Sequence, residues 1–163
     1  MTPTRKQIGD FIDAAVRDPA NARRMAASCP DLLDARWLHS ETALHFLAVE
    51  GFADAVRLLA TLGVAVNAVN AFGDTALIDV VVLENVEIAR ILLEHGADPN
   101  APSKTKDCAL HVAIGKANSE LMELLLAAGA KPMADGLELA LMLSRDRAAA
   151  EALLLRYGVK LPG

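Results

Sequence analysis

Residues 42–47 read T-A-L-H-F-L, residues 75–80 read T-A-L-I-D-V, and residues 108–113 read C-A-L-H-V-A. Each stretch begins 33 positions after the previous one. The same interval separates the leucines and the glycines of the three units, which are Leu44, Leu77 and Leu110, and Gly63, Gly96 and Gly129. A period in this range is typical of stacked units that cannot bury their apolar faces alone. The sequence therefore predicts a repeat architecture.

The composition favours helices in each unit. Apolar residues make up 53% of the 163 residues, but aromatic residues only 4%. Such a core consists of Leu, Ala and Val, and small or unbranched side chains suit closely packed helices. We expect each unit to hold a helix of about nine residues, a tight turn and a second helix ending at a glycine, which adopts left-handed backbone at little cost.

On these motifs the chain resembles ankyrin-repeat proteins, in particular small stand-alone ones of the kind found in bacteria. The family signature T-P-L-H-x-A matches the three opening stretches, with alanine in place of proline. The family ending L-L-x-x-G-A-D-x-N-A matches L-L-E-H-G-A-D-P-N-A at 92–101, with weaker versions at 59–68 and 125–132. The resemblance implies an all-α ankyrin-repeat solenoid formed by a single domain over 1–163. Its predicted parts are an N-terminal helix pair or cap at 1–36, repeats at 37–69, 70–102 and 103–132, and a shortened C-terminal cap repeat at 133–163.

The two ends depart from the repeat pattern but remain helical. The apolar residues of the first segment recur at helical spacing, as Ile8, Phe11, Ile12, Ala15 and Val16. Asp18 followed by Pro19 predicts the cap and first turn of a second helix. Near the other end, the sequence predicts helices at 137–143 and 148–157. We therefore expect helical caps on both sides of the repeats.

Charge, apolar run length and cysteine usage bear on the partners and the cellular compartment of the protein. The formal charge of −5 is spread along the chain and gives no basic stripe, so we expect no nucleic-acid partner. No run approaches the roughly 18 apolar residues of a membrane helix, so we expect no membrane partner. Cys29 and Cys108 are isolated and are predicted to be free thiols in a reducing cytoplasm. We expect a cytoplasmic protein.

The recurring histidine does not indicate catalysis or metal binding. His45 and His111 lie two units apart, and at roughly 8–10 Å per unit they cannot share one ion. The C-x-x-H pair at 108–111 lacks the second pair that structural zinc needs. The resemblance implies instead that this histidine is structural and joins neighbouring units. We expect no catalytic residue, no cofactor and no metal.

The resemblance also implies that turn tips and the inner sides of the first helices form a concave groove that binds another protein. The predicted partner-binding residues are Trp37, Leu38, Glu41, Phe46, Glu50, Phe72, Asp74, Asp79, Val82, Leu83, Lys104, Asp107 and Lys116. Their charge changes sign along the stack, from the acidic residues of the first units to Lys104, Lys106 and Lys116. For Trp37 a second interpretation stays open, in which its ring covers the N-terminal helix pair.

The sequence thus predicts a non-catalytic protein–protein interaction module that is monomeric alone. One alternative is an inhibitor or immunity protein that blocks a toxin or enzyme stoichiometrically. Further alternatives are a self-assembling structural protein and a small-molecule binder. The last of these would require a closed, polar cavity around Cys108 and His111.

Overall fold

The computed structural model describes residues 2–101, 103 and 108–162, with backbone only at 134 and 135. These residues form ten α-helices and two short 3-10 turns, at Pro30–Leu32 and Leu38–Ser40. The helices are α1 (Arg5–Arg17), α2 (Pro19–Ser28), α3 (Ala43–Val49), α4 (Ala53–Thr61), α5 (Ala76–Val82), α6 (Val86–Glu94), α7 (Ala109–Lys116), α8 (Ser119–Ala127), α9 (Ala134–Leu143) and α10 (Arg147–Arg156).

Local sequence signals fix where the helices begin and end. Asp18 caps α2 and accepts a hydrogen bond from the Asn21 amide at 3.0 Å, with Pro19 in the first turn. Asn85 and Asn118 cap α6 and α8 in the same way. The glycines after the second helices, Gly63, Gly96, Gly129 and Gly158, have φ between 75° and 90°. That left-handed backbone ends a helix and favours glycine.

The helices stack in two rows. One row consists of the first helices of each pair, α3, α5, α7 and α9, and the other of the second helices, α4, α6, α8 and α10. The core between the rows is built mainly from leucine and alanine, as the composition predicts, with isoleucine and valine among them. The predicted all-α helical-repeat solenoid is confirmed.

The ends of the chain also form helix pairs. Helix α1 packs on α2, α3 and α4 and buries Ile8, Phe11 and Ile12. Val16, which the sequence places in the same apolar stripe, lies at its edge with 36% of its surface exposed. Helix α9 begins at Ala134, three residues before the predicted start.

Polar side chains at fixed positions join each unit to the next. The Asn67 side chain donates to the Gly96 carbonyl at 3.0 Å and accepts from the Asp98 amide at 2.8 Å. Asn100, 33 positions later, makes the same pair of bonds with Gly129 and Lys131. Because these bonds satisfy backbone groups at the turn of the neighbouring unit, they fix the spacing of the stack.

The recurring histidine also bridges neighbouring units. The His45 ring lies 2.9 Å from the Thr42 hydroxyl through Nδ1 and 3.2 Å from the Asp74 carbonyl through Nε2. His111 Nε2 accepts from the Met133 amide at 3.2 Å. Burial lowers the pKa of His45, so the ring is neutral at physiological pH. The structure thus shows the joining contact that the family resemblance implies.

Within the described residues, no helix combines the length and the apolar character needed to cross a bilayer.

Candidate protein interface

The exposed sides of α3, α5, α7 and α9, together with the turn tips before α3 and α5, form one surface, here called the first-helix face. The register of α9 follows from its buried residues. Leu137, Ala140 and Leu141 are buried at the same spacing as Leu44, Leu47 and Ala48 of α3. Leu139, Met142 and Leu143 therefore stand in register with Phe46, Val49 and Glu50, so α9 extends the first-helix face by one unit.

The turn tips present apolar side chains to solvent. Phe72 is 60% exposed and Leu38 is 46% exposed. The His39 ring lies 6.2 Å from the Phe72 ring, and the Ala71 amide donates to the His39 carbonyl at 2.8 Å. This bond links two successive tips, so Leu38 and Phe72 belong to one continuous surface.

Trp37 takes part in packing and remains partly accessible. Its ring meets Phe46 edge to face, with 5.1 Å between the ring centroids. Both residues are half-buried and pack against the core. Trp37 thus packs on α3 through Phe46 and stays partly exposed, and both its role in partner binding and its role as a cover of the N-terminal helix pair stay predictions.

Carboxylates gather at the end of this face formed by the first repeats. Burial, together with the negative charges of Asp74 and Glu41, raises the pKa of Asp79 to about 6. Asn70 donates to the Asp79 carboxylate at 3.4 Å. Glu50, at the end of α3, is exposed. Carboxylates thus outnumber cations at this end of the face, where the Arg36 guanidinium donates to the Ser40 and Val69 carbonyls.

The middle of the face is apolar, and Lys116 is the one described lysine among the three that carry the predicted change of charge sign. Val82 and Leu83 are 45% and 54% exposed. Lys116 is half-buried and forms an ion pair of 3.8 Å with Glu84, which also accepts from the Asn118 side chain. Because Glu84 balances it, Lys116 adds little net positive charge. The predicted residues Lys104 and Asp107, together with Lys106, lie outside the described residues.

Sequence reasoning missed the apolar surface at the other end of the face. Leu139, Met142 and Leu143 are 57%, 67% and 67% exposed. Between α7 and α9 there is an open cleft of about 320 Å³. Its lining residues are His111, Val112, Gly115, Lys116, Gly136, Leu139, Ala140 and Leu143. The signal that could have found these residues is D-G-L-E-L-A at 135–140, which aligns with T-A-L-H-F-L at 42–47.

The part of the chain that the structure describes contains no group of three His, Cys, Asp or Glu side chains that could hold a metal ion. The cleft beside His111 is open and mostly apolar, and Cys108 does not line it. It therefore differs from the closed, polar cavity that the small-molecule hypothesis requires.

The stacked helix pairs define a helical-repeat solenoid, and the sequence identifies the repeat family to which it belongs. The chain matches the family described as ankyrin repeats (3 copies) over residues 20–103 and 44–136. It belongs to the ankyrin-repeat family. Repeats of this family are in general protein–protein interaction modules and are typically non-catalytic. A search of curated proteins finds none that matches this chain.

Proposed function

We propose that this chain binds another protein through its first-helix face and turn tips. The observation that carries the proposal is the distribution of exposed apolar side chains. Among the described residues, nine of the thirteen large apolar side chains that are exposed lie on this face or its tips. They are Leu38, Val49, Val69, Phe72, Val82, Leu83, Leu139, Met142 and Leu143. A concentration of this kind marks an interaction surface, because isolated exposed apolar residues would be scattered.

The mechanism is complementarity to a preformed surface. The tips are held by backbone bonds, such as the one between Ala71 and His39, and by Asn70, whose side chain accepts from the Phe72 and Asp74 amides. Since these segments are already fixed, binding costs little ordering entropy. Phe72 and Leu83 are the apolar anchors we propose for this face, because large exposed apolar groups at the centre of an interface contribute most of its affinity.

The test is a pull-down from native cells with the tagged wild-type chain and a Phe72→Ser/Leu83→Ser variant. Trp37 stays unchanged because it also packs on Phe46. The matched control is Leu155→Ser, since Leu155 on α10 is 58% exposed but lies outside the face. We expect all three proteins to keep their thermal transition, because exposed substitutions change stability by about 0.5 kcal/mol or less. A partner captured by the wild type and the control but lost from the double variant supports the proposal. Retention by the double variant contradicts it.

A further inference from the structure

The cleft between α7 and α9 exists because three of its lining residues are small. Gly136 lies directly against His111, since a Cβ at position 136 would come within 2.5 Å of the imidazole ring. Gly115 faces open space, since a Cβ there would meet nothing within 4 Å. Ala140 lines the cleft from α9. The missing side chain at Gly115 therefore leaves room for a group from outside, while α9 contacts the His111 ring at Gly136.

The chemistry of the cleft selects an apolar group. Leu139 and Leu143 form its rim and are more than half exposed. The charged lining residue Lys116 is paired with Glu84. A volume of about 320 Å³ stands at the lower limit of small-molecule pockets, which run from roughly 300 to 1,000 Å³. It accommodates one large side chain, such as Leu, Phe or Trp.

The opposite end of the first-helix face selects a cation. Glu41 and Asp79 take part in none of the ion pairs found among the described residues, although they lie close enough to Asp74 to affect each other's charge. The cleft between α7 and α9 lies between one and two helix-to-helix steps from α5, which at roughly 8–10 Å for each step separates Asp79 from it by about 12–15 Å. A partner that spans this distance needs positive charge at one end and an apolar group at the other.

We propose that the first-helix face takes a basic and apolar segment of another protein, with a bulky apolar side chain in the α7–α9 cleft and a Lys or Arg over Glu41 and Asp79. This inference rests on the proposed function and adds the chemistry and direction of the partner. A second copy of this chain fits poorly as the occupant, because its formal charge of −5 is repelled by the acidic end. The charge complementarity instead selects a cationic segment.

The test begins with a display library of random 20-residue segments, selected on the immobilised wild-type protein. We expect enriched segments to carry at least one bulky apolar residue and a net positive charge. The strongest segment is then synthesised, and its affinity is measured for the wild type and for two variants. Gly115→Leu fills the cleft from α7, and Gly9→Leu on α1 is its control, since Gly9 is also helical with nothing near its Cβ.

We expect Gly115→Leu to lower the affinity roughly 10- to 100-fold, the effect of excluding one large apolar side chain, while Gly9→Leu leaves it within about twofold. A Glu41→Gln/Asp79→Asn variant is expected to lower it about 3- to 10-fold at low salt and to reduce its salt dependence. The thermal transitions of Gly115→Leu and Gly9→Leu check that both variants fold.

The inference is overturned if no segment is enriched, if the enriched segments are neutral or acidic, or if folded Gly115→Leu binds as tightly as the wild type. It is also overturned if light scattering shows that the wild type dimerises and that Gly115→Leu abolishes the dimer. The proposed function is judged separately by the native partner. If that partner is lost from Phe72→Ser/Leu83→Ser but kept by Gly115→Leu, the first-helix face stands as an interface and the cleft anchor does not.

Discussion

The Asp79→Asn substitution tests whether the acidic end of the first-helix face is electrostatically costly to the free protein. Burial and the charges of Asp74 and Glu41 raise the pKa of Asp79 from 3.8 to about 6. At about 1.4 kcal/mol for each pH unit, this shift corresponds to a difference of about 3 kcal/mol in the free energy of unfolding between the protein with protonated Asp79 and the protein with ionised Asp79. Because Asp79 remains partly exposed and solvent screens its charge, we expect about 1–2 kcal/mol.

The sign follows from the raised pKa. Between pH 3.8 and 6 the folded state holds a proton on Asp79 that the unfolded state has released. The stabilising contribution of protonated Asp79 is therefore complete below pH 3.8 and is lost as the pH rises through 6. An asparagine side chain is neutral at every pH of the experiment, so Asp79→Asn is expected to be more stable than the wild type at pH 8 and equally stable near pH 4.

The assay is urea unfolding of both proteins at intervals from pH 4 to pH 8, with the free energy of unfolding taken from each transition. Glu50→Gln serves as the control, because Glu50 is an exposed carboxylate at the end of α3. It is expected to change the free energy of unfolding by about 0.5 kcal/mol or less. The reasoning is refuted if Asp79→Asn and the wild type have the same free energy of unfolding at pH 8. It is also refuted if their free energies differ by a constant amount from pH 4 to pH 8.

The remaining predictions concern the framework of the repeats. Gly136→Ala is expected to lower stability by about 1–3 kcal/mol in thermal unfolding, because the new Cβ meets the His111 ring; an unchanged transition would show that the ring moves freely. Cys108→Thr is expected to add about 0.5–1 kcal/mol in urea unfolding, since Cys108 caps α7 without a side-chain bond; no gain would mean that the added methyl group does not fit. The wild type is expected to lose stability relative to His45→Gln as the pH falls below 6.5. The reason is that the pKa of His45 is lowered in the folded state, so the unfolded state binds a proton first; parallel pH profiles of the two proteins would contradict this. Asn100→Ala is expected to lower the free energy of unfolding by about 1–2 kcal/mol in urea, because two hydrogen bonds between repeats are lost. An unchanged free energy would mean that apolar packing alone sets the spacing of the stack.

The sequence predicts the repeats well because they depend on local, periodic signals. The 33-residue step places Leu44, Leu77 and Leu110 at equivalent positions, and all three are buried. The same step aligns Asn67 with Asn100, which make the same bonds. A side chain that sits in a repeated backbone environment makes a repeated contact, so periodicity is sufficient to predict it.

The candidate site was less predictable because it depends on departures from the period. Only 27 positions separate Leu110 from Leu137, so a search at 33 residues does not place α9 in the first-helix face. The cleft requires Gly115 on one helix to face Gly136 on the next, which no single segment reveals. The pairing of Lys116 with Glu84 likewise depends on side chains from different units, so the sequence alone does not show that the charge of Lys116 is balanced.

A methyl NMR cross-saturation experiment on the complex with the captured partner tests the first-helix face most directly as the binding surface. We predict that saturation of the partner transfers to the methyl groups of this face, in particular Leu83, Leu139 and Met142. We also predict no transfer to Leu155 on α10, which is similarly exposed but lies on a second helix. Transfer to Leu155 with none to Leu83, Leu139 and Met142 would place the partner on another surface and contradict the proposed function.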